Sequence, residues 1–349
     1  MLVKNKNVSD NNRSGELKPE LSFIRGKGVP DHDRTPFPLT AKFSDMDQHY
    51  IIETKGLSYQ YSKQEQTLFD INLQVPQGSI YGFLGPNGSG KTTTLSLLLG
   101  LLEKQQGNIS IFGQELHKNR ISILKKIGSL IETPSLYGHL TARGNLEVYR
   151  SIYGTTKERI DEVLEIVGLM DTGKKPAAKF SLGMKQRLSI ALALLPSPQL
   201  LILDEPSNGL DPSGMIELRQ LIKKLNKELG MTIVISSHLL SEVEKMVSHI
   251  GIIYKGKMLF QGPLQELHRF QQKGSRLLIR TSDNEVAMQL LHNHYPECAG
   301  DMVSLPFEDM HQVASINRTL TAQNLDVYLL QPKENDLEQL FIDLTTAQS

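Results

Sequence analysis

The sequence predicts an α/β protein with an antiparallel β subdomain ahead of its central unit, a helical insert within that unit and a small α+β domain behind it. Three observations carry the prediction. Gly85-Pro86-Asn87-Gly88-Ser89-Gly90-Lys91-Thr92 is a complete G-x-x-x-x-G-K-[ST] phosphate loop, set between an apolar run and a leucine-rich run. Leu200-Leu201-Ile202-Leu203 is a second apolar run that ends in two carboxylates, Asp204 and Glu205. Beyond about residue 264 the pattern restarts with separate short strands and helices.

Residues 1–48 are rich in Asn, Asp, Lys, Ser and Pro and poor in large apolar residues, the composition of a segment that buries too little surface to order itself. A disordered extension is expected there, and Met46, just ahead of the first strand, offers a second possible start. From Tyr50, the short apolar segments Ile51-Ile52-Glu53, Leu57–Tyr61 and Ile71–Val75 are broken by polar turns and read as antiparallel strands. Ser79–Leu84 reads as a strand and Thr92–Leu102 as a helix, which is the context a phosphate loop requires. Its glycines let backbone N–H groups curl round a phosphate without Cβ clashes, and the helix N-terminus behind them adds partial positive charge. Lys91 is expected to reach the β- and γ-phosphates and Thr92 to ligate Mg²⁺.

A strand over Ile109–Phe112, a helix around Arg120–Lys126 and a strand over Ile127–Ile131 follow. The chain then reads as mainly helical to Leu195, an insert of about residues 139–195 with apolar stripes at Leu146, Val148, Tyr149 and Ile152 and again at Ile160, Val163, Leu164, Ile166 and Val167. Phe180-Ser181-Leu182-Gly183-Met184 opens its last helix, with Ser181 placed as an N-cap. Two adjacent carboxylates at the carboxyl end of the 200–203 strand suggest one for Mg²⁺ and one as a base toward water. Asn208–Pro212 is a turn, a helix runs from about Gly214 to Leu229, and a strand over Met231–Ile235 closes on Ser236-Ser237-His238. After His249–Tyr254, a Lys255-Gly256 hairpin and Met258–Phe260 complete the unit. In 264–349, Leu277–Ile279 and Val327–Leu330 read as strands, and Glu285–His292, Met310–Ala322 and Leu337–Leu344 as helices.

The composition narrows the classes of function. The 38 basic and 38 acidic side chains cancel, so no overall electrostatic footprint of a nucleic-acid binder is present and no nucleic-acid partner is expected. A single cysteine, Cys298, excludes an intramolecular disulfide and suits a reducing compartment. No apolar run approaches the roughly 20 residues that span a bilayer.

Taken together, these motifs resemble the nucleotide-binding subunit of an ABC transporter, a P-loop NTPase, over residues 50 to about 262. The resemblance implies that Gly85, Pro86, Asn87, Gly88, Ser89, Gly90, Lys91, Thr92 and Thr93 form the Walker A loop round ATP, that Leu200–Asp204 is Walker B, and that Glu205 is the catalytic glutamate. It places Glu132 at the Q-loop position, Ser181 and Gly183 in the signature, Asp211 in the D-loop, and His238 as the switch histidine. Tyr61 matches the aromatic residue that stacks on adenine. Thr92, Glu132 and Asp204 are then the Mg²⁺ ligands, Asp204 directly or through water, and Glu205, His238 and Glu132 the catalytic set. Such subunits work as ATP-sandwiched homodimers beneath a separate polytopic permease, at the cytoplasmic face of the cell membrane.

Two departures from the family pattern refine the expectation. The signature keeps Ser181 and Gly183 but has Leu182 and Met184 where the family has glycine and glutamine, and Glu132 replaces the Q-loop glutamine. The extra carboxylate adds negative charge beside Asp204 and Glu205. It is therefore expected to hold metal at least as well and to slow hydrolysis until a partner repositions it. Both variants resemble the branch linked to bacitracin resistance and lantibiotic immunity, which implies export of peptide antibiotics. The alternative, a soluble ABC ATPase acting on ribosomes or nucleic acid, usually joins two such domains through a basic linker, whereas here there is one domain and a balanced charge.

Overall fold

The computed structural model of the chain describes residues 49–62, 65–131, 136–273 and 275–333. The expected extension over 1–48 and the expected helix over 337–344 lie outside them, as does Glu132.

β1 (Tyr50–Ser62) pairs antiparallel with β2 (Glu65–Ile71) and β3 (Gln74–Pro76), turning Ile52, Thr54 and Leu57 inward. β4 (Ile80–Leu84) is buried at every position and leads through the phosphate loop into α1 (Lys91–Leu98). That helix stops short of the predicted Leu102. Gly100 takes a φ of 62° and its carbonyl accepts from the Arg120 guanidinium, so the chain turns out of the helix there. β5 (Gln106–Ile111) and β6 (Gln114–Glu115) complete the antiparallel sheet, in the order β2-β1-β5-β6 with β3 on β1.

α2 (Leu116–Leu124) then delivers the chain to β7 (Ile127–Leu130). The helical insert consists of α3 (Ala142–Tyr153), α4 (Glu158–Ile166) and α5 (Leu182–Leu194). α5 is buried at every residue from Leu188 to Leu194, as its apolar character on all sides requires. β8 (Leu200–Leu203), α6 (Pro212–Leu229), β9 (Thr232–Ser237), α7 (Leu240–Val243), β10 (His249–Tyr254) and β11 (Lys257–Pro263) follow.

The six-stranded sheet has the order β11-β10-β4-β9-β8-β7, parallel except for β11 at its edge. Successive side chains on a strand point to opposite faces, so each central strand feeds two cores. Leu200, Ile202 and Val234 face α1 and the antiparallel sheet, while Leu201, Leu203, Ile233 and Ile235 face the helices α3 to α7. The buried runs in β4, β8 and β9 are what a parallel sheet covered on both faces demands.

α8 (Leu264–Lys273) packs Leu267 into the helical-side core. β12 (Arg276–Thr281), α9 (Asn284–Leu290), β13 (Glu297–Ala299), β14 (Met302–Pro306), α10 (Met310–Ala322) and β15 (Val327–Lys333) then form an antiparallel sheet in the order β13-β14-β12-β15. The β-α-β-β-α-β sequence of elements in that order is a split βαβ arrangement. Its buried residues, among them Leu277, Ile279, Val303, Leu305 and Ile316, make a cluster of their own. β13 is only three residues long, and β14 is buried at three consecutive positions, so neither shows the alternation by which a half-buried strand is read from sequence.

Candidate active site

The carboxyl ends of β4, β8 and β9, side by side in the parallel sheet, meet the N-terminus of α1, where ligands of open α/β sheets bind. Glycine is dictated twice in the loop between β4 and α1. Gly90 takes a φ of 109°, and a Cβ there would stand 2.5 Å from a methyl of Leu68; a Cβ on Gly85 would stand 2.3 Å from the Ile253 carbonyl oxygen. Asn87 and Gly88 form the exposed tip. With Gly90 as its N-cap, α1 has no side chain bonded to its first amides, which are left for a ligand. Ser89 Oγ is buried and makes no hydrogen bond among the described residues. An orphaned hydroxyl beside a row of uncapped amides fits a phosphate.

Lys91 is nearly enclosed, and its Nζ donates to the carbonyls of Gly85 at 2.7 Å and Pro86 at 3.3 Å. Glu205 Oε1 lies 3.1 Å from the same nitrogen, an ion pair out of line for a hydrogen bond. The other oxygen of Glu205 is 2.9 Å from His238 Nδ1, so one carboxylate bridges the loop lysine and the histidine beyond β9. Glu205 holds a φ of 46°, a left-handed conformation unusual for a residue with a side chain and of the kind that collects at functional sites.

Thr92 Oγ1 donates to Asp204 Oδ2 at 2.8 Å. Ser236 Oγ donates to the other oxygen of Asp204 and accepts the Glu205 N–H at 2.8 Å, holding the Asp204 carboxylate and the Glu205 backbone from the neighbouring strand. Ser236 was not singled out in the sequence. Its signal was slight, a hydroxyl at the end of an apolar run, and only the pairing of β8 with β9 brings it beside Asp204. Thr92 and Asp204 offer a hydroxyl and a carboxylate, while Lys91 is paired with Glu205. That oxygen set, with two carboxylates against one lysine in the network, suits a divalent cation.

Tyr61 is 56% exposed; its hydroxyl is 3.3 Å from Thr93 Oγ1 and its ring meets Tyr59 edge-to-face at 5.0 Å. Ser181, Gly183 and Asp211 lie together on a second edge. Ser181 Oγ caps α5 by accepting from Met184 N at 3.2 Å, and Asp211 caps α6 by accepting from Gly214 N at 3.0 Å. The two helix starts touch, since a Cβ on Gly209 would be 3.2 Å from Leu182 and one on Gly183 would be 3.8 Å from Gly214. Among the described residues, no hydrogen bond or ion pair joins Ser181 or Asp211 to the group formed by Lys91, Thr92, Asp204, Glu205 and His238. Glu132, assigned to the metal and catalytic sets, lies outside the described residues.

The sequence profile of the ABC transporter family matches residues 68–208. The bacitracin transport ATP-binding protein BcrA of Bacillus licheniformis is 46% identical over 299 residues, 84% of this chain and 97% of that protein. The lantibiotic transport ATP-binding protein SrtF of Streptococcus pyogenes is 46% identical over 211 residues, 60% of this chain and 90% of the relative. Among solved structures, a dimeric ATP-binding cassette in a post-hydrolysis state bound to ADP and Pi superposes with a TM-score of 0.55 at 26% identity, covering 61% of this chain and 98% of its own.

Proposed function

This chain belongs to the family of ABC transporter ATP-binding proteins, and from that premise we propose that it is the ATP-hydrolysing subunit of a peptide-antibiotic exporter, working as two identical copies on a separate membrane permease. The observation that carries the reading is the Lys91–Glu205–His238 network standing beside Thr92–Asp204 at the mouth of an uncapped α1.

Residues 85–93 would cradle the triphosphate, with Lys91 exchanging its loop carbonyls for phosphate oxygens. Thr92, Asp204 and Glu132 would hold Mg²⁺, which when bound offsets charge on the β- and γ-phosphates. Glu205 accepts the proton of the attacking water, and His238 holds that carboxylate from its far side and contacts the γ-phosphate. The open face of Tyr61 receives the adenine ring. Ser181 Oγ and the Gly183 N–H, at the start of α5, grip the γ-phosphate bound by the other copy, with Asp211 of the adjoining α6 on the same surface. The dimeric ADP-bound and Pi-bound cassette supports pairing, and the bacitracin and lantibiotic relatives support the cargo class.

Among the described residues, no helix is long and apolar enough to cross a membrane. An open groove of about 700 Å³ between α1, α2 and α3, where Leu101, Ile121, Ile152 and Tyr153 are exposed, supports the seating of a permease segment at the cytoplasmic face of the membrane. Its lining also includes Ile127 and Ser129 of β7. The test is to tag the Glu205→Gln chain in its own cell, solubilise the membrane gently and identify what co-purifies. A polytopic membrane protein is expected, and loss of either chain should sensitise cells to a bacitracin-type or lantibiotic peptide. Co-purification of ribosomes or nucleic acid without a membrane protein would overturn the reading.

A further inference from the structure

Asn145, on α3, is completely buried, and every hydrogen-bonding group of its side-chain amide is used. Its Oδ1 accepts from Tyr137 N at 2.8 Å, and its Nδ2 donates to Tyr137 O at 3.1 Å and Thr141 O at 3.0 Å. A side chain that occupies both backbone groups of another residue does for that residue what a strand partner would do. The stretch so anchored is itself a template. Gly138 O and Leu140 O accept from Ala178 N and Ala177 N, both at 2.8 Å, and Thr141 bridges to Pro176. One tight turn further on, Phe180 is buried and Ser181 caps α5.

We infer that Asn145 is a positioning residue for Ser181: through Tyr137 and Thr141 it fixes the 137–141 backbone on which 176–178 is hung, and so sets where the start of α5 stands when it meets ATP bound by a second copy. The inference rests on the paired reading above. The amide acts through the backbone of two other segments and touches neither Lys91 nor Glu205, so it bears on the second edge alone. An apolar residue of equal size would fill the space but leave the Tyr137 N–H without its partner, while the carbonyls of Tyr137 and Thr141 would keep only the backbone N–H groups of Leu140 and Asn145.

The full chain supplies a direct test. Asn145→Ala should leave the ATP affinity of the chain within about twofold, while kcat and the ATP-driven pairing of the Glu205→Gln form each fall about tenfold. A loss of fold stability alone would not produce that split. A covalent clasp then replaces the amide: a Cβ on Gly138 would lie 3.4 Å from that of Ala178, close to the roughly 3.5–4.5 Å of disulfides. With Cys298→Ser removing the single native thiol, oxidised Gly138→Cys/Ala178→Cys should restore pairing and kcat to Asn145→Ala, and reduction should abolish the rescue. Unchanged kcat in Asn145→Ala, an ATP affinity falling in step with kcat, or no rescue by the oxidised pair would each overturn the inference. If Asn145→Ala does not fold when reduced, the oxidised form is measured, and its failure to pair is decisive against it. A Glu205→Gln chain that keeps Asn145 yet does not pair on ATP would remove the paired reading, and this inference with it.

Discussion

At the phosphate edge, side chains from separate elements hold one another: Lys91 and Thr92 from the start of α1, Asp204 and Glu205 beyond β8, Ser236 in β9 and His238 after it. At the α5–α6 edge each polar side chain attends to its own helix, Ser181 to Met184 N and Asp211 to Gly214 N. The first edge is organised in advance for chemistry on one bound phosphate chain. The second is organised only as two capped helix starts, and on the proposed reading its amides and hydroxyl come into use when a second copy brings an anionic group to them. One chain thus carries two unlike halves, and the asymmetry predicts which functions a single copy retains.

The largest expected effect separates binding from chemistry at the first edge. Glu205→Gln keeps the bridge to His238 in shape and should lower kcat by roughly 100- to 10,000-fold while ATP affinity, measured by equilibrium binding, stays close to the parent; an unchanged kcat would remove the carboxylate from its role. Lys91→Ala comes next. Taking the enclosed ammonium out of the loop should weaken ATP binding by about 100-fold in the unpaired chain, and full affinity in that variant would mean the first edge does not depend on its lysine.

Ser181→Ala tests the other side of the contrast. ATP affinity of the unpaired chain should not move, kcat should fall about tenfold, and the lost cap should cost about 1 kcal/mol of stability; a fall in ATP affinity of the unpaired chain would erase the distinction between the edges. The smallest effect belongs to Glu132→Gln, which on the proposed reading removes one negative charge from the metal-holding set and should raise basal ATP turnover by about threefold. Equal rates in the two forms would sink the idea that this carboxylate restrains hydrolysis.

These differences also explain what could be read from the chain beforehand. The phosphate loop was legible because its residues form one contiguous pattern, although the atoms that exclude a side chain at Gly85 and Gly90 come from Ile253 and Leu68; Asp204 and Glu205 were legible because an apolar strand ending in carboxylates is a local pattern. Ser181 was legible as a cap for the same reason, whereas Asp211 was read only within a turn and its capping of α6 came from the fold. Ser236 was not, since its place between Asp204 and Glu205 depends on a strand pairing across 32 residues. Asn145 was hidden too. On an amphipathic helix an asparagine reads as a surface residue, and only the folded insert shows it enclosed. The end of α1 lies earlier than expected because five leucines flank Gly100, three before and two after, and apolar continuity outweighed the glycine. β13 and β14 escaped notice because their strand character comes from pairing, β14 with β12 and β13 with β14, rather than from their own few residues.

The division of the parallel sheet between two cores bears on how the molecule comes apart. Ile202 and Leu203 are sequence neighbours whose side chains belong to different cores, so neither face can melt without loosening the strand that serves the other. Amide hydrogens of β4, β8 and β9 should therefore exchange together, at the free energy of a single cooperative opening. The β12–β15 sheet shares none of its buried cluster with either core, and its amides are free to open on a schedule of their own.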